Sequence, residues 1–157
     1  MSSGDVYRSD ILDEFLKNIE VDKPKTKTEV GMMQPLVLAY IGDAIFELFI
    51  RNYLINRRDG HVNEYHRQST YYVKAGAQSK IIHALESELT DEEWTIVKRG
   101  RNQKSATVPK HADLIDYKYA TGFEALLGYL FYIGDYERLI AIMNRATEII
   151  EGGGNIT

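Results

Sequence analysis

The sequence predicts an all-α helical bundle, and three observations carry that expectation. Apolar residues recur at three- and four-residue spacing along nearly the whole chain. No stretch alternates with the period of two that a half-buried strand needs. The periodic segments are closed by helix punctuation, at Asp59-Gly60, Gly134-Asp135 and Gly152-Gly153-Gly154. With 157 residues, 44% hydrophobic and 27% charged, the chain suits one globular domain with a continuous core.

The elements follow in order. Ile11, Leu12, Phe15, Leu16 and Ile19 share a helical face, so residues 5–20 read as an amphipathic helix. VDKPKTKTEVG reads as a polar loop, and Pro35 then opens a long apolar helix ending near Asp59-Gly60. Residues 61–89 hold two helices with a break near Gly76. Thr90-Asp91-Glu92-Glu93 has capping-box spacing and starts a helix running to about Arg101. NQKSATVPKHADLID is polar, contains Pro109 and reads as a loop. A helix from about Tyr117 to Ile133 follows, and after Gly134 a last helix runs to the glycine tail. The expected division is an N-terminal extension over 1–30, a domain over 31–151 and a Gly-rich tail over 152–157.

Composition removes several function classes. Without cysteine there are no disulfides, thiolate nucleophiles or Cys-based zinc sites. His61, His66, His83 and His111 lack zinc-site spacing. MSSGDVYRSDILDEF lacks the basic-then-apolar order of a signal peptide. Asp43, Glu47, Arg51 and Asn52 interrupt the most apolar stretch, residues 35–55, so a buried helix is expected there rather than a membrane span. A cytoplasmic protein with no membrane partner fits these features.

Net charge is −4, but it is unevenly spread. From Lys98 to Lys118 six Lys/Arg face only Asp113 and Asp116, a local balance of +4 that leaves −8 on the rest. A basic stripe on an acidic body suits one specific anion better than general adhesion to nucleic acid.

Two carboxylates stand out. Asp43 lies in LVLAYIGDAIFELFI and Glu124 in GFEALLGYLF, each alone in a nearly apolar run. A carboxylate so placed loses hydration and needs a cation, hydrogen-bond donors or a metal. Converging, the two would suit Mg²⁺, which prefers oxygen ligands. Separately, each could pair with an internal arginine or cap a helix, and spacing alone does not choose.

LAYIGDAIFE resembles the signature helix of the ribonuclease III catalytic domain, FEALLGYLF its second signature, and KRGRNQKS the approach to that second helix. The three stretches stand in the family's order across residues 35–134, and the chain resembles most closely the compact Mini-ribonuclease III branch. Asp43 and Glu124 match the family's essential carboxylates, whereas Ala39 and Thr121 stand where the larger enzymes carry two more. After Gly134 only 23 residues follow, too few for a double-stranded-RNA-binding domain.

The resemblance implies a magnesium-dependent endoribonuclease for double-stranded RNA, with Asp43 and Glu124 holding the ion directly or through water. It implies products with 5′-phosphate and 3′-hydroxyl ends, and a large-subunit (23S) ribosomal RNA precursor as substrate, with a ribosomal protein as a possible helper. RNA contacts fall on Arg99, Arg101, Asn102, Lys104 and Lys110, although Lys and Arg also favour helix C-termini for electrostatic reasons alone. Lys74 and Gln78, in a second branch-like stretch, VKAGAQSK, are read as i, i+4 partners on one RNA-facing side. Glu47, one turn beyond Asp43, is expected to pair with Arg51. Most tyrosines, and Trp94, read as packing residues. The apolar surface of residues 36–50 exceeds what a lone bundle covers, which suits the family's homodimer. The competing reading is a ribonuclease III-like dimer that grips structured RNA without cutting it, and the replacements at Ala39 and Thr121 keep it open.

Overall fold

Helix ends in this chain are set by side chains that satisfy orphan backbone groups, and those ends explain the architecture. The computed structural model describes residues 14–15, 17–18, 24–57, 59–104 and 113–152. Among them there are α-helices and one 3₁₀ turn, and no strand. The helices are α1 (Lys27–Gly31), α2 (Pro35–Arg57), α3 (Val62–Val73), α4 (Ala75–Leu85), α5 (Asp91–Arg101), α6 (Leu114–Ile133) and α7 (Tyr136–Gly152). Residues 14–15 and 17–18 are helical and exposed; the rest of the helix expected over 5–20, and the glycine tail from Gly153 on, lie outside the described residues. No helix among the described residues is long and apolar enough to cross a membrane.

The reading of 21–31 as a loop needs correction. Thr26 Oγ1 accepts from Glu29 N at 3.1 Å and Glu29 Oε1 from Thr26 N at 3.2 Å, a capping box that starts α1. This short helix belongs to the packed body: Val30 is fully buried, and Lys25 N donates to Tyr132 O at 2.7 Å. A second correction concerns α6, which begins at Leu114 rather than Tyr117. Asp113 Oδ1 takes the backbone N–H groups of Ile115 (2.9 Å) and Asp116 (3.0 Å), extending the helix into the expected loop. The break expected near Gly76 falls on Lys74, whose extended backbone (ψ 154°) closes α3 and opens α4. At Thr90 the expected capping box is present.

Helix α6 is the axis of the bundle, with α2, α4, α5 and α7 packed around it. Glycines set the distances. A Cβ on Gly42 would stand 1.8 Å from Glu124 O, and one on Gly128 2.0 Å from Leu38 O, so the α2 and α6 backbones touch. Gly100 and Gly122 bring α5 against α6 in the same way. Beside the α2–α6 crossing, Phe46 and Phe123 meet edge-to-face with centroids 5.2 Å apart, both fully buried. Gly134 ends α6 at φ 77°, a conformation that glycine adopts without penalty.

Candidate active site and its basic margin

The backbone contact at Gly42 places the next residue, Asp43, beside Glu124 on the facing helix. Glu124 is half-buried, and Asp43 is exposed in this chain. The apolar sequence around Asp43 therefore does not bury it, because that side of α2 faces outward. Burial first, then the charge of Asp43, a hydrogen bond shared with Asp43 and the charge of Glu47 push the Glu124 carboxyl up from 4.5 to about 9. Among the described residues no cation acts to lower it. Glu47 is occupied by Arg51 Nε at 3.2 Å, the expected ion pair.

Two carboxylates so close, with no lysine or arginine among the described residues neutralising Glu124, form a donor set suited to a hard divalent cation. No group of three or more His, Cys, Asp or Glu converges among the described residues. Ala39 is buried against the core, and the Thr121 hydroxyl donates to Tyr117 O at 3.0 Å. Asp43 and Glu124 would thus be the protein's share of a Mg²⁺ shell that keeps several waters, as this ion usually does.

The basic margin divides into side chains directed at the protein and side chains left at its surface. Arg99 donates to Gly31 O at 2.6 Å and Met33 O at 3.4 Å, tying the end of α5 to the turn between α1 and α2. Arg101 lies over the Tyr119 ring, 5.5 Å from its centroid, and bonds the Tyr119 hydroxyl (3.5 Å) and Asn102 Oδ1 (3.1 Å). Tyr119 is thus a platform for an arginine; the sequence pattern marked it only for packing. Asn102 and Lys104 are exposed, and Lys110 lies outside the described residues.

The pairing of Lys74 with Gln78 does not hold as an exposed face. Lys74 is exposed, 5.4 Å over the Tyr71 ring, whereas Gln78 is 3% exposed. Gln78 Nε2 donates to Val73 O at 2.8 Å, capping the end of α3, because the extended residue between the helices turns the chain before Gln78. Along α2 an outward row of Val37, Tyr40, Leu48 and Ile55 is 46, 83, 69 and 59% exposed, a long apolar stripe beside Asp43.

The ribonuclease III domain family model matches residues 36–135, which span both carboxylates and the basic margin. A Mini-ribonuclease 3 from a Thermoanaerobacter species is 45% identical over 137 residues, covering 87% of this chain and 94% of that protein. Another from Clostridium tetani is 46% identical over 127 residues, covering 80% and 84%. The chain belongs to the ribonuclease III family, in its Mini-ribonuclease 3 group. It is an endoribonuclease of the ribonuclease III type, and its family acts on double-stranded RNA with divalent metal ions. A crystal structure of a Fusobacterium nucleatum protein superposes with a TM-score of 0.69 at 31% identity, covering 78% of this chain and 96% of that one. The Mini-ribonuclease 3 match favours cutting over the binding-only reading.

Proposed function

We propose that this member of the Mini-ribonuclease 3 group is a magnesium-dependent homodimeric endonuclease that trims a double-stranded precursor of the large ribosomal RNA. The observation that carries the reading is the pairing of Asp43 with Glu124 at the glycine-spaced crossing of α2 and α6. When bound, Mg²⁺ supplies Lewis acidity for phosphodiester hydrolysis. Asp43 and Glu124 would hold it as carboxylates, directly or through water. Arg101, Asn102, Lys104, Lys74 and Lys110 steady the RNA phosphates and 2′-hydroxyls. Arg99 and Gln78 act on RNA binding through the backbone they brace. The apolar stripe of α2 meets the same stripe of a second copy, so both carboxylate pairs face one duplex and cut its two strands, leaving 5′-phosphates and 3′-hydroxyls.

The test is cleavage of a long duplex and of precursor ribosomal RNA with Mg²⁺, comparing wild type with Asp43→Asn and Glu124→Gln. Wild type alone should cut, with both variants folded. Binding by wild type without any cutting would replace this reading with that of a structured-RNA binding module. A monomer in sedimentation at micromolar concentration would remove the dimer from it.

A further inference from the structure

A cavity of about 310 Å³ opens where the start of α2, the end of α5 and the first turns of α6 meet, and its lining includes Thr121, one helical turn before Glu124. Its volume is at the lower end for small-ligand sites, enough for a nucleotide-sized unit and far more than one water needs. Leu36 and Leu114 are the large apolar side chains among the described residues that line it. Among those residues the charged side chains are Lys104 and Lys118, both exposed, and Tyr117 and Thr121 lie in the lining with them.

Position ties the cavity to the reaction. On α6, Thr121 precedes Glu124 by three residues and Lys118 by six, so Lys118 stands about 9 Å along the helix axis from Glu124. An RNA strand held at Asp43 and Glu124 carries a further phosphate at every nucleotide. The phosphate next along repels carboxylates and is drawn to lysines, while the Leu36 and Leu114 side chains accept the carbon face of a ribose. The sequence pattern placed Lys118 only within a general basic stripe; the fold brings it to this cavity with Lys104.

We propose that the cavity is a nucleotide subsite of the nuclease, taking the ribose-phosphate adjacent to the scissile bond with its phosphate between Lys118 and Lys104. This rests on the endonuclease reading above and names where the strand continues beyond the cut. Lys118 is then a positioning residue for the scissile phosphate.

The experiment is a double-mutant cycle between protein and RNA. Wild type, Lys118→Gln and, as a control for charge elsewhere, Lys27→Gln are assayed on a duplex and on the same duplex with one uncharged methylphosphonate linkage next to the scissile bond. Binding is read across a salt series and cleavage by kcat and KM. Lys118→Gln should weaken binding roughly tenfold and lower the slope of log affinity against log salt by about 0.7–0.9, the share of one phosphate contact. The neutral linkage should cost wild type and Lys27→Gln a similar factor and cost Lys118→Gln nothing more. Multiplying losses, or a Lys118→Gln variant that behaves as Lys27→Gln does, would overturn the subsite. Binding is read whether or not cleavage occurs, so failure of wild type to cut would count against the endonuclease and leave the lysine–phosphate coupling to be judged separately.

Discussion

Glu93 and Glu124 are glutamates of the same bundle, on adjacent helices, in opposite electrostatic circumstances. Glu93 is 5% exposed, yet it accepts from Thr90 N at 2.9 Å and from Arg138 Nε at 2.9 Å and Arg138 Nη2 at 3.0 Å. Burial pushes its carboxyl up, but Arg138 and the Thr90 backbone outweigh that and hold it below its usual value. Glu124 is half-buried, and burial, the charge and hydrogen bond of Asp43 and the charge of Glu47 all push its carboxyl upward. The contrast teaches that burial does not mark a functional carboxylate. A carboxylate matched by donors holds helices together; one left facing a second carboxylate is a candidate ligand for a cation.

The sharpest way to break this comparison is to neutralise each in turn. Glu124→Gln should lower duplex cleavage on the order of 10³-fold, equivalent to several kcal/mol of transition-state stabilisation, with folding intact. Glu93→Gln should do the reverse. Activity per folded molecule should persist while stability falls by about 1.5–3 kcal/mol, the range for hydrogen bonds to charged groups, read by urea unfolding. If Glu93→Gln abolished cleavage without destabilising the fold, the assignment of roles would be wrong.

The glycine contact offers a smaller lever. Gly42→Ala puts a methyl 1.8 Å from Glu124 O, so the helices must part, at a cost of about 1–3 kcal/mol and with loss of cleavage. Unchanged melting and activity in that variant would contradict the backbone contact.

The two glutamates also predict opposite pH dependences. Without metal, the folded state holds Glu124's proton up to about pH 9, whereas the unfolded chain releases it near 4.5. Its stabilising contribution is complete below 4.5 and declines as pH rises through 9, by up to about 1.4 kcal/mol per pH unit. Glu93, with its value lowered, contributes above 4.5 and loses that contribution in acid. Thermal melts from pH 5 to 9 should slope downward for wild type and be flatter for Glu124→Gln. Added Mg²⁺ should stabilise wild type more at pH 8.5 than at pH 6, since less proton must be displaced. The smallest expected effect is at Gly31, where an added Cβ meets nothing within 4 Å: Gly31→Ala should raise stability by about 0.4–1 kcal/mol.

Much of the helical plan was legible from local signals. Pro35, the Thr90 capping box, Gly134 and the apolar periodicity act within a few residues, so α2, α5, α6 and α7 could be placed from the chain alone. The Thr26 capping box and the Asp113 cap are equally local, but their polar surroundings carry no apolar periodicity to mark a helix. Asp43 and Glu124 were legible as charges in apolar runs, but their degree of burial was not. A one-dimensional pattern cannot separate a helix side that faces the core from one that faces outward.

The sequence by itself determined the class of fold, the order of its helices, the two candidate carboxylates and the family resemblance, because propensity, capping and motif spacing operate over short distances. Only the tertiary structure decided what each polar group meets. It turned Arg99 onto the backbone ahead of α2, buried Gln78 under the end of α3, set Arg101 on Tyr119 and matched Glu93 with Arg138 across 45 residues. Those outcomes depend on which helix lies opposite. Close contact between glycines far apart in the chain, Gly42 near Gly128 and Gly100 near Gly122, sets that arrangement.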